Sequence, residues 1–176
     1  MMRDASSAAI PVGLAFGSNI GDRLANLSAA KELLLRHPAV AGNGIFSPVF
    51  ETAPVECEDG ASTFLNAVGE IQFSGSPLEC LAICQSIELQ LGRPSRRPKN
   101  APRTIDLDLI YAGATVIEDV DLTLPHPRLG ERRFVLEPLA SIRPHLVLPD
   151  DCSPIAERLS ALVSDEPTLS IFASEW

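Results

Sequence analysis

The sequence has 176 residues, 45% of them hydrophobic and 21% charged, which predicts a single folded domain and excludes a disordered chain. Its formal net charge of −9, from 14 basic and 23 acidic residues, argues against general binding to nucleic acid or anionic membranes. The charge is uneven, however, because nine of the basic residues and only seven of the acidic ones lie between Arg93 and Arg143. This local excess predicts a site for a small anionic ligand.

No segment is typical of a membrane span or a targeting signal. The sequence has no apolar run of the roughly 18 residues that a spanning helix needs. The stretch 8–16 is interrupted by Pro11 and Gly13. Cys80 and Cys84 have neither the spacing of a zinc clip nor a histidine nearby. We therefore expect reduced thiols and a cytoplasmic protein.

The first half of the chain alternates between strand and helix patterns. Ile10 to Gly17 is predicted to be a buried strand that runs into a turn, and Asp22 then caps a helix ending near residue 37. Ile45 to Ala53 is rich in strand-forming residues, although Pro48 indicates an edge strand or a bulge. After a loop, Phe64 to Phe73 alternates apolar and polar residues, which predicts a strand with one wetter face.

The second half contains the clearest helix start. Ser76, Pro77 and Glu79 match a capping box with proline at the first helical position, and Gly92 is a stop signal. A basic, proline-rich loop precedes a strand over 104–111. The order strand, helix, strand, strand, helix, strand predicts an α+β, ferredoxin-like βαββαβ core, an antiparallel sheet with both helices on one face. We expect one domain over 1–176, with a core of about 10–145 and a C-terminal extension of about 146–176, and short added helices over 131–140 and 153–162.

Asp106 and Asp108 are the most informative pair. On a strand their side chains share one face, with about 7 Å between the Cα atoms, while Leu107 points to the other. Two carboxylates so placed repel each other unless a cation lies between them, and magnesium prefers such oxygen ligands together with substrate phosphates. An ordinary solvated strand face is the alternative.

Five cations precede this strand with no acid among them, and they are consistent either with a solvated loop or with a polyphosphate site: Arg93, Arg96, Arg97, Lys99 and Arg103. Their position directly before the acidic strand favours phosphate binding by a loop that acts as a lid. His126, between two prolines, is either a phosphate donor or a structural loop histidine. The chain has no Walker A loop and no protein-kinase motifs, so arginines and metal must hold any phosphate.

The segment from Lys99 to Ile110, KNAPRTIDLDLI, resembles the signature of the 6-hydroxymethyl-dihydropterin pyrophosphokinase family of folate synthesis. Other matches occur in family order: Gly17-Ser18-Asn19, Glu51-Thr52-Ala53-Pro54, Phe64-Leu65-Asn66, Glu88 with Leu91-Gly92-Arg93, and Pro125-His126-Pro127-Arg128 with Glu131-Arg132-Arg133-Phe134. They span about residues 13–144. The resemblance implies a ferredoxin-like fold and transfer of pyrophosphate from MgATP to the pterin hydroxymethyl group, with release of AMP.

The resemblance also implies roles for individual residues. Asp106 and Asp108 match ligands of two magnesium ions, and with Arg93 and Arg103 they form the expected catalytic set. The implied ATP contacts are Gln85, Glu88, Arg93, Arg103, His126 and Arg132. The implied pterin contacts are Thr52, Ala53, Pro54, Val55, Phe64, Asn66 and Phe134. The chain departs from many members at Ser95, Asn100 and Pro127, positions that concern the arginine loop and the neighbour of the histidine.

The residue chemistry agrees with this function. Metals on a carboxylate pair and a closing arginine loop suit in-line attack on phosphorus, and an amide such as Asn66 both donates to and accepts from a flat pterin. Phe134 offers a stacking face. No side chain is an obvious general base. We expect a monomer with small-molecule substrates and neither nucleic acid nor membrane as partner. The rival interpretations are a silent nucleotide- or pterin-binding domain and a small regulatory domain of ferredoxin type.

Overall fold

The computed structural model describes residues 8–52, 63–93, 102–163 and 169–176. The core elements in chain order are β1 (Ile10–Ser18), α1 (Arg23–Leu35), β2 (Val40–Phe46), β3 (Val49–Thr52), β4 (Phe64–Phe73), α2 (Pro77–Gln90) and β5 (Asp106–Ala112). They are followed by the short strands β6 (Ile117–Glu118) and β7 (Thr123–Leu124), the helices α3 (Arg133–Ile142) and α4 (Ile155–Ala161), and β8 (Ser170–Ala173).

The main sheet is antiparallel and has the strand order β5-β1-β4-β3-β8, with β2 also paired to β4. This arrangement confirms the predicted α+β class and the predicted order of core elements. β1 and β4, the two central strands, pair over their full lengths, from Ile10 opposite Phe73 to Ser18 opposite Leu65.

The strand predicted over 45–53 is in fact two strands. β2 already begins at Val40, and the break before β3 falls at Ser47 and Pro48. Proline has no backbone N–H to donate to a ladder, which explains why the strand is interrupted at this point. β3 is not an edge strand, because β8 pairs with its outer side.

One face of the sheet packs on α1 and α2, and we call it the helical face. Its buried residues include Leu14 and Leu65 from the strands and Leu27, Leu34 and Cys84 from the helices. Both helix starts agree with the sequence. The Asp22 carboxylate accepts from the backbone N–H of Ala25 at 3.1 Å, and Ser76 and Glu79 form the full capping box.

The opposite face was expected to be wetter, and that expectation is wrong for the middle of β4. Helix α3 covers it, so Glu70 is only 5% exposed. The buried carboxylate is satisfied by the Tyr111 hydroxyl, which donates at 2.5 Å, and by the Arg143 guanidinium, which donates at 2.6 Å. The alternation in β4 thus predicts which side chains share a face, but a polar side chain on that face is not necessarily exposed to solvent.

The two expected added helices are present with slightly shifted bounds, α3 at the end of the predicted core and α4 in the C-terminal extension. The extension also contains β8, a strand that the sequence did not predict. The Trp176 ring contacts Phe16 and Phe46 edge-on, with centroids 5.4 and 5.6 Å away, and its indole N–H donates to the Ser47 carbonyl at 2.8 Å. In the part of the chain that the structure describes, no helix is long and apolar enough to cross a membrane.

Candidate active site

Gly17 lies in the sheet between Asn66 and Asp106, and its missing side chain would point to the face opposite α1 and α2, which we call the site face. We call the space above Gly17, between these two side chains, the cleft, and Gly17 its floor. In β1 it pairs with Asp106 on one side and Asn66 on the other, so these side chains flank it. A Cβ atom at Gly17 would lie 3.3 Å from Asn66 Oδ1 and 3.8 Å from Asp106 Cβ. Glycine thus leaves space between a carboxylate and an amide that the sequence assigned to two different substrates.

Asp106 and Asp108 lie on the site face, as predicted, while Leu107 and Leu109 are buried on the helical face. Burial, together with the charge of Asp106, raises the pKa of Asp108 from 3.8 to about 6. Arg132, Arg93 and Arg103 oppose this shift. The pair therefore has the mutual repulsion that favours a cation between its members.

Asp106 binds two of the predicted arginines. Arg93 Nη1 lies 2.6 Å from Asp106 Oδ1, and Arg103 Nη1 donates to Asp106 Oδ2. Both guanidinium groups are largely buried, and among the described residues Arg103 Nε has no hydrogen-bond partner. An unsatisfied buried donor beside the carboxylate pair suits an additional anionic ligand such as phosphate.

Glu88 joins helix α2 to the outer edge of β5. Its Oε1 atom accepts from the backbone N–H of Leu107 at 2.7 Å and from Arg93 Nη1. Burial raises the pKa of Glu88 from 4.5 to about 7, against the opposing effects of the Leu107 and Arg93 contacts. In this structure, Glu88 thus supports Arg93 and the aspartate strand.

Three of the predicted pterin residues, Thr52, Phe64 and Asn66, lie together on β3 and β4 on the other side of Gly17 from Asp106. Asn66 is 7% exposed, and its amide nitrogen donates to the Thr52 hydroxyl at 2.7 Å. Phe64 lies two residues before Asn66 in β4 and pairs with Thr52. The centroid of its ring lies 5.8 Å from the Arg103 guanidinium carbon. The Phe64 ring is therefore next to the arginine that contacts Asp106.

His126 and Arg132 lie in the segment that leads into α3, and Phe134 lies in the first turn of that helix; the charge of Arg132 acts on both Asp108 and His126. The His126 Nδ1 atom accepts from the Arg128 backbone N–H at 3.1 Å, which leaves Nε2 as the protonated nitrogen of the neutral ring. Burial, with Arg132 and Arg128 nearby, lowers the pKa of His126. A neutral ring whose Nε2–H is available suits a hydrogen-bond donor to phosphate. The Arg132 guanidinium carbon lies 5.5 Å from the Phe134 ring centroid.

Not every predicted residue joins this cluster. Gln85 is exposed on α2, one turn before Glu88, and within the described residues no hydrogen bond links it to the others. The predictions for Ala53, Pro54 and Val55 fall outside the described residues, as do those for Arg96, Arg97 and Lys99.

Two residues with clear structural roles at the cleft were absent from the predicted site. Gly17 forms its floor, and Asn19 makes two hydrogen bonds to the backbone of Arg103. Both belong to the Gly17-Ser18-Asn19 segment, which the sequence indicated only as a turn and as part of the family match. Contacts with a residue 84 positions away leave no local pattern in the sequence.

The residues present fit magnesium bound together with phosphate better than a metal held by protein alone. Among the described residues, no group of three histidine, cysteine or carboxylate side chains could enclose a metal ion. Magnesium commonly takes only one or two protein carboxylates and completes its shell with phosphate oxygens and water. Asp106 and Asp108 supply that number.

Comparison with known proteins identifies the family. The sequence model of 7,8-dihydro-6-hydroxymethylpterin-pyrophosphokinase (HPPK) matches residues 13–144. A 2-amino-4-hydroxy-6-hydroxymethyldihydropteridine pyrophosphokinase of Bacillus subtilis is 47% identical over 129 residues, which cover 73% of this chain and 75% of that protein. The folic acid synthesis protein fol1 of Schizosaccharomyces pombe is 41% identical over 86% of this chain, but this chain spans only 20% of its length.

Solved structures show the same fold. The crystal structure of Plasmodium falciparum HPPK-DHPS with pteroate superposes with a TM-score of 0.67 at 13% identity, covering 86% of this chain and 44% of that one. An HPPK-DHPS structure in complex with substrates gives a TM-score of 0.68 at 13% identity, covering 88% of this chain and 43% of that one. The fold of this chain thus corresponds to less than half of these longer proteins.

Proposed function

The chain belongs to the 7,8-dihydro-6-hydroxymethylpterin-pyrophosphokinase family, and on that premise we propose that it transfers pyrophosphate from ATP to 6-hydroxymethyl-7,8-dihydropterin. The product side of the reaction is AMP and the pterin diphosphate, a step of folate biosynthesis. The observation that carries the proposal is the floor at Gly17, which lies between Asp106 and Asn66 and so separates a phosphate end from a pterin end by a single residue.

At the phosphate end, the residues are arranged to bind a polyanion. Arg93 and Arg103 both contact Asp106, so the phosphates of ATP and bound magnesium compete with these ion pairs for the same charged groups. The arginines then neutralise phosphate oxygens, and the neutral His126 donates from Nε2. Bound magnesium, for which we propose two ions at Asp106 and Asp108, supplies further neutralisation of the charge on the phosphates.

At the pterin end, Asn66 and Thr52 present one hydrogen-bonding edge. The Asn66–Thr52 hydrogen bond fixes the amide plane before the substrate arrives, so its remaining donor and acceptor are pre-oriented. Phe64 and Phe134 supply apolar ring surface for the flat heterocycle. Fixing the pterin here places its hydroxymethyl group towards the arginine end, where the hydroxyl oxygen attacks the β-phosphorus and the bond to AMP breaks.

The proposal also covers the oligomeric state of the chain and its cellular compartment. We propose that the chain acts as a monomer. Cys80, Cys84 and Cys152 are free thiols, which supports a reducing compartment such as the cytoplasm.

Initial-rate measurement of AMP release tests the function. We expect AMP to form from ATP only when magnesium and 6-hydroxymethyl-7,8-dihydropterin are both present, and to match the pterin diphosphate formed one to one. Reactions without pterin, and with excess chelator, are the controls. Tight binding of both compounds without AMP release would instead assign the chain to the silent binding domains.

A further inference from the structure

The connection between β1 and α1 contacts the chain on both sides of the cleft. Asn19 is 3% exposed, and its Oδ1 atom accepts from the backbone N–H of Arg103 at 2.7 Å. The Asn19 backbone N–H donates to the Arg103 carbonyl at 3.1 Å. One buried residue thus holds the main chain of Arg103 by both its donor and its acceptor.

This attachment fixes an arginine that acts on both ends of the cleft. The Arg103 guanidinium contacts Asp106 and lies against the Phe64 ring. The side-chain amide of Asn26 braces the connection from α1, donating to the Ile20 carbonyl at 3.0 Å and to the Ser18 hydroxyl at 3.3 Å. Asn19 is therefore supported by a helix and does not belong to a free loop.

Arg23, at the start of α1, makes the corresponding attachment at the pterin end. Its Nη1 atom donates to Glu51 Oε1 at 3.0 Å, to the Thr63 carbonyl at 3.0 Å and to the Thr63 hydroxyl at 2.7 Å. The Thr63 hydroxyl donates in turn to Glu51 Oε1 at 2.8 Å. The hydrogen bonds from Thr63 and Arg23 lower the pKa of Glu51, so this carboxylate is charged at neutral pH.

Glu51 and Thr63 directly precede two residues of the pterin end. Thr52 follows Glu51 in β3, and Phe64 follows Thr63 at the start of β4, where the two residues pair. A guanidinium group that holds both neighbours sets the spacing of the strand ends that carry the Thr52 hydroxyl and the Phe64 ring. Neither Asn19 nor Arg23 lies among the residues to which we assigned contact with a substrate.

We propose that Asn19 and Arg23 are positioning residues with separate targets: Asn19 acts on phosphate transfer through Arg103, and Arg23 acts on pterin binding through Thr52 and Phe64. This inference rests on the proposed function. It assigns the alignment of the two substrates relative to each other to residues 19–23, the connection after β1 together with the first residue of α1. Because displacements of about 1 Å cost large factors in rate, loss of either attachment is measurable in the kinetics.

A double-mutant cycle tests the Asn19 assignment. Asn19→Ala is expected to lower kcat about 10- to 100-fold, whereas in the Arg103→Ala background the same change is expected to cost less than about 3-fold. Asn43→Ala, at an exposed asparagine of β2, is the matched control. An equal loss in both backgrounds overturns the assignment, because a general structural defect would act independently of Arg103.

Steady-state kinetics with each substrate varied test the Arg23 assignment. Arg23→Ala is expected to raise the KM for the pterin about 10-fold and to leave kcat and the KM for ATP within about 2-fold. Arg36→Ala is the matched control, since Arg36 caps the opposite end of α1 and, within the described residues, its side chain pairs with Glu32 on the surface. Parallel changes in both KM values, or no change in the pterin KM, overturn it.

Hydrogen exchange of the Arg103 amide separates failure of this inference from failure of the proposed function. The amide is held by Asn19 without any substrate, so Asn19→Ala is expected to accelerate its exchange at least about 10-fold, and Asn43→Ala to leave it unchanged. Unchanged exchange in Asn19→Ala overturns the attachment even if the enzyme turns over. If the unmodified chain shows no turnover but the exchange result is as expected, the proposed pyrophosphate transfer is overturned and the Asn19–Arg103 attachment is retained.

Discussion

The two faces of the central sheet use the same strands for different purposes. On the helical face, Leu14, Leu65 and Ile71 are fully buried against α1 and α2. On the site face, adjacent positions of the same strands carry Asn66 and Asp106 around the floor at Gly17. Because side chains alternate along a strand, the chain places its apolar core and its reactive groups one residue apart. The first face stabilises the fold and the second carries the chemistry.

Burial of ionisable groups at the site face lowers the stability of the fold, and the apolar packing on the helical face offsets this loss. The pKa of Asp108 on the site face is raised to about 6, and the pKa of Glu88, which reaches the edge of β5 from α2, is raised to about 7; burial is the largest cause of both shifts. A group whose charged form is disfavoured in the folded chain destabilises the fold at pH values where it is charged. Such charges are retained at functional sites because they bind ligands.

The largest expected effect comes from removing the aspartates of the site face. Asp106→Ala and Asp108→Ala are each expected to lower AMP release at least about 1000-fold, because phosphate and metal are no longer positioned. Thermal unfolding should show a folded protein in both cases. Asp121→Ala, at an exposed aspartate, is the control. Near-normal AMP release by either variant would show that the pair does not hold the metal.

The reverse pattern is expected on the helical face. Leu65→Ala removes a fully buried side chain next to Asn66 and should lower the free energy of unfolding by about 2–5 kcal/mol. The folded fraction should retain kcat within about 3-fold, since Leu65 points away from the cleft. Chemical denaturation and initial rates measure the two quantities. A kcat loss comparable to that of the aspartate variants would mean that the faces are not separable.

Within the site face, Asn66 distinguishes the two ends of the cleft. Asn66→Ala removes the amide that donates to Thr52, so the KM for the pterin should rise at least about 10-fold while the KM for ATP changes less than about 3-fold. Gln72→Ala is the control, because Gln72 lies on β4 with the same side-chain direction but is exposed. An equal rise in the KM values for the pterin and for ATP would count against a role of Asn66 in pterin binding.

The smallest change tests the floor itself. Gly17→Ala adds one methyl group, whose carbon would lie 3.3 Å from Asn66 Oδ1. This contact is close enough that the Asn66 amide must shift by a few tenths of an ångström. We expect kcat/KM for the pterin to fall several-fold, with the free energy of unfolding altered by about 1 kcal/mol or less. An unchanged kcat/KM would indicate that substrate does not approach the floor between the two ends.

Much of this arrangement was predictable because it depends on local patterns. The alternation around Asp106 and Asp108 predicts their shared face, and Ser76 with Glu79 predicts the start of α2. Both inferences use only neighbouring residues and the geometry of one element. The βαββαβ order then determines which strands are adjacent, and so brings Asn66 to the same cleft as Asp106.

The rest depends on contacts between distant parts of the chain. Nothing near Glu70 in sequence indicates that α3 covers it, because its partners Tyr111 and Arg143 are 41 and 73 positions away. The roles of Asn19 and Arg23 are equally nonlocal, and so is the pairing of β8 with β3. These features are determined by tertiary packing, and the sequence pattern of a single helix or strand does not predict them.

The claim that the site face exchanges stability for ligand binding is tested most directly by Asp108→Asn. At pH 8, without metal or nucleotide, this variant should unfold at a higher temperature than the unmodified chain, because it removes a buried charge beside Asp106, and it should release no AMP. The gain should shrink as the pH falls from about 6 towards 3.8, because the folded chain then takes up the proton before the unfolded chain does. A lower unfolding temperature at pH 8, together with lost AMP release, would contradict the claim and make Asp108 a structural residue.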